Sequence, residues 1–228
     1  MTFLQLCQRL RQECGMAGTG PLTVVGQTGE LKRLVDWTAS AWFDIQAMHQ
    51  DWRFLRTTAS WATVQAQATY TTAQCGIPAG TFSAWVRDSF RNYPTATGQS
   101  GEIFMPYLPY TYWRNQYQFG AYRTTYSRPI EMTVTPDDGI GLGPVPLSGY
   151  TILGDYFSAP VLLSADADVP TLPAKHNPML IVYHAMESYG AFEAAPEVYQ
   201  RGLTEFTKLL RRLEADQLPE YTLGGALC

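Results

Sequence analysis

The hydrophobic positions change period twice along this chain: helical at the start, strand-like through the middle, helical again near the end. Residues 2–14 place Phe3, Leu6, Cys7, Leu10 and Cys14 at helical spacing, and Gly15 offers a stop. The run GMAGTGP then breaks regular structure. A second helix is predicted over 29–49, with one stripe made of Leu31, Leu34, Val35, Thr38, Ala41, Trp42, Ile45 and Met48. Thr28 stands where a cap is needed, and Glu30 lies in the first turn, where the helix dipole favours a carboxylate. Trp37 and Trp42 fall about 140° apart on this helix. They therefore do not both face one core, and one of them turns to a neighbour or to the other side of the bundle. Trp52, Phe54 and Leu55 in the following DWRFL are expected to close the end of the bundle.

From residue 57 to 165 the texture changes to Thr, Val, Tyr, Gly and Pro. The runs WATVQAQATY (61–70), FSAWVRDSF (82–90), IEMTVTP (130–136) and GYTILGDYF (149–157) read as strands. Gly/Pro clusters separate them, among them PDDGIGLGPVP (136–146), whose GIGLG (139–143) reads as a β-turn region. A short helix is expected after Pro109. Short strands between turn signals predict a small sandwich or open barrel. The helical period returns after the Pro-rich stretch 166–175, with helices predicted over 177–192 and 196–216. Pro196 suits a first turn, where its missing N–H is not needed. Val198, Leu203, Phe206, Leu209, Leu210 and Leu213 form the apolar face of the last helix. The pattern predicts an α+β protein: a helical bundle formed by N- and C-terminal helices (1–56 and 166–217), a β-rich insertion (57–165), and an extended or mobile tail (218–228).

Composition narrows the function. Hydrophobic residues make up 46% and charged residues 16%, below the quarter typical of soluble domains, so much surface is neutral polar or covered by something. The 14 Tyr, 10 Phe and 6 Trp fit either a surface buried against partners or a β-rich core. Net charge is −4, and no basic stripe of the kind that grips nucleic acid stands out. Arg9/Arg11 and Lys208/Arg211/Arg212 read as solvated helix faces. Cys7 and Cys14 lie two helical turns, roughly 10 Å, apart, too far for a disulfide. With no CxxC pair, the cysteines point to a reduced, intracellular protein. No basic region followed by an apolar run opens the chain, and no run of 18 apolar residues occurs, so neither a signal peptide nor a membrane helix is expected.

Catalytic and metal chemistry find no motif. His49, His176 and His184 do not cluster, and HExxH, GxSxG, P-loop and GxGxxG patterns are missing. Asp166 and Asp168 lack EF-hand spacing, and Asp137–Asp138 before Gly139 is ordinary turn chemistry. No cofactor and no metal are expected. Paired acids that meet only in space remain possible for a glycoside hydrolase. The stretch 111–128 interleaves aromatic and basic residues, which suits a Tyr/Trp/Arg-anchored protein interface, the lobe's own core, or base or sugar stacking. Tyr112, Trp113, Tyr117 and Arg123 are the contact candidates there.

Three segments resemble the head-to-tail adaptor proteins of short- and long-tailed bacteriophages. The first is the helix LQLCQRLRQECG (4–15) with QTGELKRLVDWTASAWFDIQAMHQDWRFLR (27–56), which closes on Trp52 to Leu55. The second is GDYFSAPVLLSADADVPTLPAKHNPMLIVYHAMESYGAF (154–192). The third is the terminal helix EVYQRGLTEFTKLLRRLE (197–214). The resemblance implies a structural virion protein made in the host cytoplasm and placed at the head–tail junction. It implies a ring, usually of twelve copies, docked beneath the portal protein, a downstream tail or nozzle protein, and DNA only as channel cargo, with no membrane partner. It brings no catalytic residue. Such adaptors often reach onto the portal with their C-terminal segment. Here that segment is 218–228, with Leu218, Pro219, Tyr221, Leu223, Leu227 and Cys228 as contact candidates. Two other classes stay open: a carbohydrate- or nucleic-acid-binding module using the aromatic middle, and a tail-associated hydrolase.

Overall fold

The structure, a computed structural model, describes residues 1–218. It has five α-helices among them: α1 (Phe3–Glu13), α2 (Gly29–Ala47), α3 (Tyr110–Tyr117), α4 (Met179–Phe192) and α5 (Pro196–Gln217). The chain divides into two compact units. Met1–Leu55 and the described residues from Pro160 onward form a helical unit; Arg56–Ala159 form a β-rich unit. The α+β class with helices from both chain ends flanking a β-rich middle is therefore the observed one.

In the helical unit α4 is the hub and packs against α1, α2 and α5. Its sequence explains this: Leu180, Ile181, Val182, Ala185 and Met186 are buried, so apolar residues cover more than one side. α1 contributes Phe3, Leu6, Cys7 and Leu10 at the expected spacing. Thr2 and Gln5 form a reciprocal capping box, which settles the start of the helix. Thr28 occupies the cap position of α2 in extended backbone, yet its side chain makes no capping bond. Leu34, Thr38, Ala41, Trp42 and Ile45 of the predicted stripe are buried, whereas Met48 is exposed. Both tryptophans of α2 are used within this unit. Trp42 stacks with Phe54 at 6.1 Å between ring centroids, and Trp37 meets Tyr189 and Phe192 of α4. Trp52 is fully buried and donates its indole N–H to the Ile45 carbonyl at 3.0 Å, closing the end of α2.

α4 and α5 form an antiparallel hairpin through a three-residue link. Gly190 lies against the Tyr199 backbone, and Gly202 against the Tyr183 carbonyl. The missing side chains let the two backbones touch.

The β-rich unit has ten strands: β1 (Arg56–Ala62), β2 (Thr69–Tyr70), β3 (Phe82–Trp85), β4 (Arg91–Pro94), β5 (Ile103–Phe104), β6 (Tyr126–Ser127), β7 (Glu131–Val134), β8 (Ile140–Gly143), β9 (Val145–Pro146) and β10 (Tyr150–Ser158). The larger sheet runs β1-β10-β4-β5, with β3 sharing an edge of the long β10; all its pairings are antiparallel. A second antiparallel sheet runs β2-β8-β7, and β6 pairs with β9 in parallel. On β10, Tyr150, Ile152, Gly154 and Tyr156 alternate inward, the period-two pattern of a half-buried strand. Tyr150, Ile152 and Tyr156 join Trp61, Trp85, Phe90, Met132, Ile140 and Leu142 in one core drawn from both sheets.

A buried polar knot ties β4 to the return loop before β7. Arg128 donates from Nε to the Asn92 side-chain oxygen (2.8 Å) and from Nη2 to the carbonyls of Asn92 (2.8 Å) and Gly101 (2.6 Å). Asn92 in turn donates to the Pro129 carbonyl at 2.7 Å. Asn92 is fully buried, so truncating it orphans a guanidinium N–H and a carbonyl together. Asn92→Ala is expected to destabilise the β-rich unit by about 3 kcal/mol. Urea unfolding followed by the tryptophan fluorescence of this unit reads the shift; an unchanged midpoint would refute it.

Candidate functional site

The aromatic stretch 107–128 sorts into an inner and an outer set. α3 presents Trp113 and Tyr117, four residues apart and so on one face. Both are buried, at 1% and 5% exposure. They lie on β8, where Gly141 and Gly143, two residues apart, point to the same side. A Cβ on Gly141 would stand 2.8 Å from the Trp113 ring, and one on Gly143 would overlap the Tyr117 ring. Residues 140–143 of the GIGLG run thus form a central strand and not a turn. Gly141 and Gly143 are the floor on which two rings rest. The Tyr117 hydroxyl donates to Glu131 Oε2 at 2.8 Å and accepts from Gln116 Nε2 at 3.0 Å. Burial, and then the adjacent Glu131 carboxylate, push its phenol far above the usual tyrosine range. Trp113 and Tyr117 therefore serve the unit's own core, while Tyr112 (68% exposed) and Arg123 face outward.

Beyond α3 the chain makes an excursion over residues 119–127, every one of which is exposed. It carries Phe119, Tyr122 and Tyr126 with Arg123 as its one charge. Arg123 folds back on the Gln118 carbonyl (3.0 and 2.7 Å), and Arg114 lies 5.4 Å from the Phe119 ring centroid. The helical unit has a comparable feature. Residues 14–29 contain no charged side chain, and Leu22 and Val25 within them are 87% and 66% exposed. Gln8 Nε2, bonded to the Pro21 carbonyl, and Asp166, bonded to the Val24 N–H, hold this strap in place. Nearby in sequence to Asp166, Val161 and Leu162 are half exposed. The buried Gln46 amide both donates to the Val161 carbonyl (2.9 Å) and accepts from its N–H (3.2 Å), which fixes them there. Held in place and carrying little charge, surface of this kind is suited to contact with other proteins.

The edge of β2, by contrast, is closed to strand addition. Gln67 Nε2 donates to the Thr69 carbonyl at 2.8 Å and Gln74 Oε1 accepts from the Thr71 N–H at 2.9 Å, so side-chain amides occupy the outward backbone groups.

Asp166, Asp168 and Asp138 take local backbone roles. Asp168 accepts from the N–H groups of Ala165 and Ser164, which hold its carboxyl below the usual range. The carbonyls of Asp168 and Asp166 receive the Phe3 and Leu4 N–H groups at 2.7 and 3.3 Å, so this loop caps α1. Asp138 adopts a left-handed turn conformation. A groove lined by Gln67, Thr69, Tyr70, Tyr110, Thr135 and Asp137 has a volume near 510 Å³, but Asp137 is its one carboxylate, whereas glycoside cleavage uses two. Among the described residues no group of three His, Cys, Asp or Glu side chains is placed to hold a metal ion, and no helix is long and apolar enough to cross a membrane.

The end of α5 is a charged cluster. Asp216 meets Lys175 Nζ at 2.5 Å and His176 Nε2 at 2.9 Å, and Glu214 meets His49 Nε2 at 2.9 Å. Lys175, then Gln217 and His176, hold the Asp216 carboxyl well below the usual carboxylate range. A depressed carboxyl contributes stability that is complete above its unfolded value and is lost as the pH falls through the folded one. Protection of the last turn of α5 is expected to persist on acidification and to decay only below about pH 4. Hydrogen exchange across an acid series measures it; a loss already complete at neutral pH would contradict the assignment. Leu218, half-buried, follows directly; Pro219, Tyr221, Leu223, Leu227 and Cys228 lie outside the described residues.

N- and C-terminal helices share one unit, a β-rich unit is inserted between them, and each unit displays surface that carries little charge. A family model described as SU10 adaptor protein matches residues 1–226. The chain belongs to this family of phage head-to-tail adaptors, a structural virion protein that associates with other phage head and tail proteins. No curated protein matches it.

Proposed function

We propose that the protein forms a ring of twelve copies beneath the portal protein, joins the head to a downstream tail or nozzle protein, and passes DNA through its channel. The observation that carries this reading is the family match over residues 1–226, which takes in the helical unit and the β-rich unit together. The surfaces support it. A ring subunit buries two different flanks, and the excursion 119–127 and the strap 14–29 supply neutral, aromatic or aliphatic surface for such contacts. Tyr112 and Arg123 are the outward contacts on the α3 side, and Trp113 and Tyr117 hold the platform from which they project. The segment 218–228 is the arm that docks on the portal. A net charge of −4 suits a conduit that lets DNA slide without gripping it. The protein acts by assembly and performs no catalysis.

Sedimentation velocity of the protein mixed with portal rings tests this. The expected result is a portal complex heavier by twelve copies, and its loss when the chain is cut after Gln217. A protein that remains free of the portal at every concentration contradicts the proposal.

A further inference from the structure

We propose that the last turn of α5, residues 214–217, is a releasable spacer held shut by charge, which unwinds to lengthen the arm that follows it. The functional part of this inference rests on the reading of 218–228 as a docking arm; the clasp itself does not.

Apolar anchoring of α5 stops at Leu213, which is fully buried. Beyond it Ala215 is exposed, Leu218 is half-buried and the one buried side chain is the polar Gln217. The local sequence also opposes a helix end here. Glu214 and Asp216 put two carboxylates at the negative end of the dipole, and α5 has no basic residue in its last turn. Compensation comes from outside the helix. Arg53, in the turn after α2, donates to the Asp216 main-chain carbonyl at 3.2 Å, one of the carbonyls a helix end leaves without a partner. Lys175 and His176, from the segment before α4, hold the Asp216 carboxylate. His49 holds Glu214 while its ring sits edge-on to Trp52, 4.9 Å between centroids. Gln217 Nε2 closes the cluster on Asp216 at 2.6 Å.

Most of these groups keep contact with solvent, Lys175 by 59%, His49 by 33% and Asp216 by 31%, while His176 is the more covered one at 13%. Pairs of that kind are individually weak and salt-screened, unlike the apolar packing before them. The helix therefore has a firm part ending at Leu213 and a final turn whose stability depends on bases belonging to other segments. Unwinding four residues exchanges a rise of about 1.5 Å each for about 3.3 Å, adding roughly 7 Å of reach. A partner that pulls on the arm gains that length without disturbing the bundle core.

Hydrogen exchange on the full-length protein tests the clasp. Exchange at residues 215–218 is expected to accelerate at least tenfold in Lys175→Ala/His176→Ala, and again in wild type at high salt. Residues 206–213 should keep their protection, which also verifies folding. Unchanged exchange at 215–218, or acceleration that spreads equally through 206–213, overturns the proposal. In the portal complex, the same amides should lose protection while 206–213 keeps it; a protected last turn in a bound complex overturns the spacer role. Failure to bind the portal at all would instead sink the docking-arm reading, leaving the exchange result on the free protein to stand by itself.

Discussion

Gly202→Leu, and equally Gly190→Leu, is expected to unfold the helical unit while leaving the β-rich unit intact. A Cβ at Gly202 would stand 2.8 Å from the Tyr183 carbonyl oxygen, and one at Gly190 would stand 2.6 Å from the Tyr199 amide nitrogen. Both obstacles are backbone, so no rotamer change relieves them. Leucine is the better helix former by roughly 1 kcal/mol, and that gain does not offset prying two helices apart. Because α4 also packs against α1 and α2, displacing it breaks three contacts and not one. The expected net loss is about 3 kcal/mol or more, a large fraction of ordinary domain stability. Peptide-resolved hydrogen exchange checks it. Residues of α1, α2, α4 and α5 should lose protection while β10 keeps its own; uniform protection in both units would refute the packing account.

The second large effect belongs to the β-rich unit. Gly143→Val is expected to destabilise it by about 3 kcal/mol or more, because the new side chain enters the space of the Tyr117 ring. Tyr117 has no easy retreat, since its hydroxyl is tied to Glu131 and its neighbour Trp113 is seated on Gly141 in the same way. Pairing Gly143→Ala with Tyr117→Leu should recover part of the loss, as expected for residues that share one space. Thermal unfolding of the two single variants and the double variant measures the coupling. Strict additivity would mean that ring and glycine do not compete.

The contrast between these two sites explains what the sequence disclosed. α1, α2, α4 and α5 were legible to within two residues because long apolar stripes at helical spacing leave little choice of structure. The exchange of period at the borders of the middle region was visible for the same reason. GIGLG reads as a turn because glycine contributes no apolar alternation: the rings that make β8 a buried strand come from α3, some thirty positions earlier. That same pairing drew Trp113 and Tyr117 inward from a stretch that read equally well as interface, leaving Tyr112 and Arg123 outside. The glycines two apart, facing an i, i+4 aromatic pair, were the available signal. Thr2 and Gln5 carried a readable capping signature, whereas Thr28 had the right residue type without the bond. The Asn92–Arg128 knot and the cluster around Asp216 bring together residues 36 and 40 or more positions apart, with no local pattern to announce them. The acidic run at 164–168 proved to be a cap for α1, which its composition alone does not reveal.

In the particle this chain sits as an adaptor between head and tail. Electron cryo-microscopy of the intact virion tests it most directly. The expected map shows a ring of density at the junction, beneath the portal, into which the helical unit and the β-rich unit both fit, around an open channel. A purified particle without this density at the junction, or with the protein located elsewhere in the virion, would contradict it.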